Sequence, residues 1–204
     1  MRLLVVGAGG HAKVVVDAAA ESGWELAGVI GQPGDPVEVL GVEVYSEPPN
    51  DIDGFIIAVG DNRIRARMFD QYVALGFQPV NVVHPRAVVA PNAVLGAGTF
   101  IAAGAVINPD ARIGANVILN TGCTVDHDCN VAAHAHVGPG ANLCGNVHVG
   151  EGALLGVGCC AIGGTHIGQW SVIGAGAAVV DDLPESSVCV GVPARAIRAT
   201  ERSA

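Results

Sequence analysis

The sequence predicts two joined parts: a small α/β domain at the N-terminus, then an all-β parallel solenoid. Residues 88–183 divide into sixteen consecutive blocks of six without an insertion. The second place of the blocks, from Val89, Leu95 and Ile101 to Val179, is Val, Leu or Ile in fifteen, with Ala161 the exception. The last place is Ala, Thr, Cys or Ser in thirteen. Neither the helical period of 3.6 nor simple strand alternation produces a six-residue repeat. A parallel β-helix of hexapeptide repeats does, with one aliphatic residue pointing inward per short strand and small residues near the corners. Before residue 80, apolar strand-like runs alternate with helical ones, which means a small parallel sheet of Rossmann type with helices on its faces.

In chain order, the run LLVVGAGG at residues 3–10 is an apolar strand ending in glycines. His11–Ser22 follows as a helix with Val14, Val15, Ala18 and Ala19 as its apolar face. WELAGVI, at 24–30, is the second strand, and a turn-rich stretch holds a short strand near Val42–Tyr45. GFIIAVG, at 54–60, is a buried strand, and Asn62–Leu75 is the second helix. The expected organisation is therefore a Rossmann-like domain over 1–80, a junction over 81–87, the solenoid over 88–183 and a closing segment over 184–204. Pro184 breaks the repeat, and Val190–Ile197 is expected to cover the open end, where a terminal coil would expose its core. The last few residues are expected to fray.

Composition narrows the function. The chain has 204 residues, 29 glycines, 4% aromatic and 14% charged residues, as tight solenoid corners require. Net charge is −9 and Lys13 is the only lysine, so there is no basic footprint for nucleic acid. Residues 152–180 carry no formal charge, but they keep the six-residue period and contain eight glycines, His166 and Gln169. That pattern suits a buried solenoid and not a membrane-inserted helix. The N-terminus enters a strand directly, without a leader-like segment, so a cytoplasmic location is expected. Six cysteines form no C-x-x-C pair, and Cys123, Cys129 and Cys159 take the small last place of their blocks. They read as reduced core residues.

Gly7-Ala8-Gly9-Gly10-His11-Ala12 matches G-x-G-x-x-A between a strand and a helix. Such a turn lets a phosphate approach the backbone and meet the N–H groups of a helix N-terminus. A dinucleotide cofactor would need an acidic residue after the second strand, where this chain has Gly31-Gln32. A phosphate-bearing ligand other than NAD is expected.

His127 lies between Asp126 and Asp128, and a flanking carboxylate orients an imidazole and raises its basicity. Gly145 lies eighteen residues further on. With three blocks per coil it would sit one coil above His127 and offer a backbone N–H beside it, a pairing suited to acyl transfer. His134 and His136 stand seven and nine residues after His127, which is not metal-site spacing here, so no metal is expected. His148 and His166, also eighteen apart, continue a ladder from Arg112 and Asn130 that reads as a polar face, and His84 before Pro85 reads as structural.

The glycine turn, the run Ala58-Val59-Gly60-Asp61-Asn62-Arg63, Asn120-Thr121 ahead of Asp126-His127-Asp128, and Gly191-Val192-Pro193-Ala194 occur together in this chain. This combination resembles the nucleotide-sugar N-acetyltransferases of the bacillosamine and perosamine type, hexapeptide-repeat acyltransferases related to sialic acid O-acetyltransferases. The resemblance implies a left-handed β-helix of triangular coils. It implies a homotrimer with acetyl-CoA, the co-substrate, lying between neighbouring solenoids, and a place in surface polysaccharide biosynthesis. It implies a nucleotide-linked amino sugar as acceptor, of the 4-amino-4,6-dideoxy type. His127 matches the general base, Asp128 the acid beside it, and Gly145 the N–H that holds the thioester carbonyl. His136, Val157 and Ala175 match positions along acetyl-CoA. Gly9, Gly10 and His11 match the diphosphate-binding turn and Gly60 a further nucleotide contact. Gly31 and Gln32 stand where relatives often carry acids. O-acetylation of a sialic-acid-type sugar and a non-catalytic sugar-nucleotide-binding solenoid are the alternative readings.

Overall fold

The computed structural model describes residues 1–200; the expected fraying at 201–204 lies outside the described residues. Six elements and one short strand build the N-terminal part: β1 (Arg2–Val6), α1 (Gly10–Glu21), β2 (Glu25–Ile30), β3 (Glu38–Val39), β4 (Val42–Tyr45), β5 (Gly54–Ile57) and α2 (Asn62–Ala74). The sheet order is β3-β4-β2-β1-β5, parallel except for the β3–β4 hairpin, which the sequence did not reveal. Leu3–Val6 of β1 and all of β5 are apolar and buried because both of their faces are covered. In α1 the buried side is Ala12, Val15, Val16, Ala18 and Ala19. Val14, expected on that side, is 39% exposed.

In the solenoid each block supplies a two-residue strand. Val106 pairs with Val88 on one side and Thr124 on the other, so three blocks make a coil. The ladders form three faces of six, five and eight strands, and the whole is a left-handed parallel β-helix. Second-place aliphatics and last-place small residues both point into one core, from Ile101 to Cys189. Its close packing favours small last-place side chains, with Val117, Val147 and Leu183 the larger ones it accommodates. The corners obey a rule the sequence reading missed. All fourteen fifth places from Gly98 to Gly176 have positive φ, whether Gly, Asn, Asp, His134 or Trp170. Gly, Asn and Asp reach that region at least cost, so the fifth place, and not only the last, marks the repeat.

Two ends differ from expectation. Val82–Val83, inside the expected junction, already pairs with Phe100–Ile101 as the first strand of the eight-stranded face. His84 is buried and its Nδ1 accepts from the Arg86 N–H at 3.0 Å, which shapes the turn there. At the far end Ser187–Val190 extends the same face and folds back antiparallel onto Arg195–Ala199, with Ala194 buried against the core.

The N-terminal domain sits on that eight-stranded face. Ala12, Val15 and Val16 of α1 share a core with Phe100, Ala102 and Ile118 of the solenoid. From α2, Asn62 Nδ2 donates to the carbonyls of Gly152 and Ala153 at 3.0 and 3.2 Å. Arg65, only 1% exposed, donates to the carbonyls of Asn116, His134 and Ala135.

Candidate functional site

The β1–α1 turn, the end of β2 and the end of β5 surround one cavity of about 290 Å³. Gly9, Gly10, His11, Gly31, Gln32 and Gly60 all line it. A Cβ at Gly9, Gly10 or Gly60 would meet no atom within 4 Å, so these backbones face open space where a ligand can come close. Gly9 caps α1 with no side-chain hydrogen bond, leaving N–H groups of the first helical turn for a ligand. Asp35 completes the cavity wall: its Oδ2 accepts from the Gln32 N–H at 2.7 Å. The acid missing at Gly31-Gln32 is thus returned to the cavity by the turn that follows, a closure that linear spacing could not reveal.

His11 packs edge-on against Phe100 at 5.4 Å and lies 6.3 Å from His136. Burial, then the nearby Arg65 cation, push His11 down to about 4. The same two causes, in the same order, push His136 down to about 3. Both rings are therefore neutral near pH 7. Asn120 Oδ1 accepts from the Thr121 N–H at 2.8 Å, which turns its Nδ2 toward His136 Nε2 at 3.0 Å. The amide must donate, so His136 carries its proton on Nδ1.

The corner between the six- and five-stranded faces carries His127. Its Nδ1 lies 2.9 Å from Asp128 Oδ2, and its backbone N–H donates to Asp126 Oδ1 at 2.8 Å. Asn108 Nδ2 holds that same Asp126 oxygen at 2.8 Å. The hydrogen bond to Asp128, then the charge of Asp126, raise the His127 pKa above its ordinary value. Hydrogen bonds from His127 N–H and Asn108 lower that of Asp126. Gly145 lies directly over the ring. A Cβ there would stand 2.5 Å from His127 Cε1 and 2.6 Å from Nε2. The Gly145 N–H donates to no backbone acceptor among the described residues.

Within one chain these groups do not all meet. The glycine-turn cavity and His136 belong to the side where the N-terminal domain covers the eight-stranded face. His127 and Gly145 stand at the corner opposite that face. Val157 and Ala175, both exposed and eighteen residues apart, lie on a third edge, where the eight-stranded face turns into the six-stranded one. His134 occupies yet another corner, with its Nδ1 2.9 Å from Asn116 Nδ2. His127, His134 and His136 thus do not converge. His148 and His166 stack at 4.5 Å and 3° on the five-stranded face, away from all of these groups. No helix among the described residues is long and apolar enough to cross a membrane.

A sheet-and-glycine-turn cavity joined to a solenoid bearing an oriented histidine and an open N–H defines an acyltransferase architecture. Residues 2–72 match the family described as PglD N-terminal domain. The chain is 40% identical to a point mutant of perosamine N-acetyltransferase from Caulobacter crescentus, solved with CoA and GDP-perosamine, over 97% of each chain, with a TM-score of 0.93. It is 37% identical to the acetyltransferase domain of PglB from Neisseria gonorrhoeae FA1090, solved with acetyl coenzyme A, over 96% of this chain and 98% of that one, with a TM-score of 0.90. UDP-N-acetylbacillosamine N-acetyltransferase of Bacillus subtilis (strain 168) is 39% identical over 110 residues, 48% of this chain. That match spans half the length (50%) of the Bacillus protein. The chain belongs to the bacillosamine and perosamine type of acetyl-CoA-dependent sugar N-acetyltransferases.

Proposed function

We propose that the protein transfers the acetyl group of acetyl-CoA to the amino group of a nucleotide-linked 4-amino-4,6-dideoxy sugar, with His127 as general base. The observation that carries this reading is the His127 corner: an imidazole held by Asp128, with Gly145 N–H one coil above. The neutral amine attacks the thioester carbonyl, and the carbon–nitrogen bond forms as the carbonyl electrons move onto oxygen. Gly145 N–H stabilises that oxyanion. His127 Nε2, the ring nitrogen not engaged by Asp128, takes the ammonium proton. The carbonyl re-forms, the carbon–sulfur bond breaks, and the coenzyme A thiolate recovers the proton from His127. Products are the N-acetyl sugar nucleotide and coenzyme A.

The nucleotide occupies the glycine-turn cavity, with its diphosphate on the N–H groups of Gly9, Gly10 and His11 and against Gly60, and with Gly31, Gln32 and Asp35 around the nucleoside. Acetyl-CoA runs along the Val157–Ala175 edge. The separation of this edge, the His127 corner and the cavity within one chain supports a homotrimer, in which each reaction site is completed between neighbours. His136 reaches acetyl-CoA in that arrangement only across such an interface. Incubation with acetyl-CoA and a panel of GDP-, UDP- and dTDP-linked 4-amino sugars should yield one product carrying a single acetyl group resistant to hydroxylamine. A hydroxylamine-labile ester, or no acetyl transfer to any amino sugar, contradicts the reading.

A further inference from the structure

The cavity assigned to the diphosphate has no cation in its wall. Glycines, aliphatic side chains, Met68, Gln32, the neutral His11 and the acidic Asp35 line it. Lys13, the only lysine, is on the exposed side of α1 and is not part of that wall.

A cation nevertheless sits behind it. Arg65 is 1% exposed and makes no salt bridge with any carboxylate among the described residues, in a chain of net charge −9. Its partners are all neutral. Nε and Nη2 hold the corner carbonyls of Asn116, His134 and Ala135. Nη1 holds Asn62 Oδ1 at 2.8 Å and the carbonyls of Val59 and Gly60, the cavity's own edge, at 3.2 and 3.4 Å. A clamp between domains does not require charge. Asn62, one turn earlier, grips two solenoid carbonyls as a neutral amide. Burying an ion without a bonded countercharge costs several kcal/mol, and burial pushes Arg65 down to about 9 even though the Asp61 carboxylate acts in the opposite direction. The charge is felt at both histidines beside the cavity.

We propose that Arg65 is the built-in countercharge for the diphosphate of the nucleotide sugar, a positioning residue that acts through the Val59–Gly60 edge without touching the ligand from the cavity side. The proposal rests on the cavity being the nucleotide site. A buried cation at the low dielectric of a domain junction acts on a dianion more strongly than a surface lysine does, and salt screens it less.

The test compares the tightest binder among UDP, GDP and dTDP with its own nucleoside, by calorimetry, on wild type, Arg65→Lys, Arg65→Gln and Asn62→Ala. The gain of diphosphate over nucleoside should shrink at least tenfold in Arg65→Gln. It should be largely kept in Arg65→Lys and fully kept in Asn62→Ala, which weakens the docking but leaves the charge. Acetyl-CoA affinity should stay within about twofold in all of them, provided the cavity and the solenoid edge are separate as described. On wild type alone, the Arg65 Nε resonance should shift on adding the diphosphate and not on adding the nucleoside, a readout that survives if Arg65→Gln fails to fold. An unchanged diphosphate gain in Arg65→Gln, or an Arg65 resonance that the nucleoside moves as much as the diphosphate, overturns the proposal while leaving the nucleotide site standing. Failure of all three nucleoside diphosphates to bind wild type overturns the nucleotide site itself, and the proposal with it.

Discussion

Gly145 has no freedom to become alanine, for a reason that concerns the reaction more than the fold. Its backbone is not in the left-handed region, so alanine is allowed there conformationally, but the new Cβ would overlap the His127 ring. That ring is exposed, with 60% of its side-chain surface open, and can swing away at little cost in stability. Gly145→Ala should therefore leave Tm almost unchanged while the displaced imidazole lowers kcat by roughly 10²-fold, toward the loss of a general base. A circular-dichroism melt beside steady-state kinetics checks both halves. The pH profile has a definite sign. The hydrogen bond to Asp128 favours protonated His127, and a general base works only when deprotonated, so the acidic limb of kcat/KM should lie above the ordinary imidazole value. Asp128→Asn removes that bond and charge, and the acidic limb should move to lower pH. A limb that moves upward would contradict the His127 assignment.

At the scale of elements, the six-residue period was readable because every coil repeats the same packing problem: an inward aliphatic and a small neighbour in one narrow core. The strand–glycine–helix order was readable for a similar reason, since burial on both faces forces continuous apolar runs such as those of β1 and β5. Of the candidate site, the stacking of Gly145 over His127 was legible from the eighteen-residue ladder. It was not legible at Asp35, Asn62 and Arg65, whose roles come from turns and docking between distant segments. The pair on α2 has a measurable consequence. Asn62→Ala leaves the Gly152 carbonyl without a donor and removes the 2.8 Å bond to Arg65 Nη1, while the Ala153 carbonyl keeps the His136 N–H; an unsatisfied buried group costs about 1–3 kcal/mol. Denaturant unfolding should show a loss in that range, with an early transition of the N-terminal domain, because these bonds join α2 to the solenoid beside the packing of Arg63 on Trp170 and Phe69 on His134.

Across the whole molecule, the glycine-turn cavity, the His127 corner and the Val157–Ala175 edge point away from one another around a single solenoid. On the proposed function, a chain acting alone would hold these parts without bringing them together at one acceptor nitrogen. In the proposed threefold ring that separation would become function, each copy offering one neighbour its corner and the other its edge. The most direct measurement uses two crippled chains. His127→Ala keeps the nucleotide cavity and loses the base. Gly9→Val keeps the base and fills the cavity, and its backbone, at φ −78, accepts valine without strain. Each alone should retain less than about a hundredth of wild-type activity, given the 10²–10⁴-fold usually carried by a general base. Mixed one to one and co-assembled, roughly a quarter of random interfaces should pair an intact cavity with an intact base, and activity should return in that proportion. Co-assemblies that native mass spectrometry shows to contain both chains, yet that remain as inactive as the separate variants, would contradict a site completed between copies.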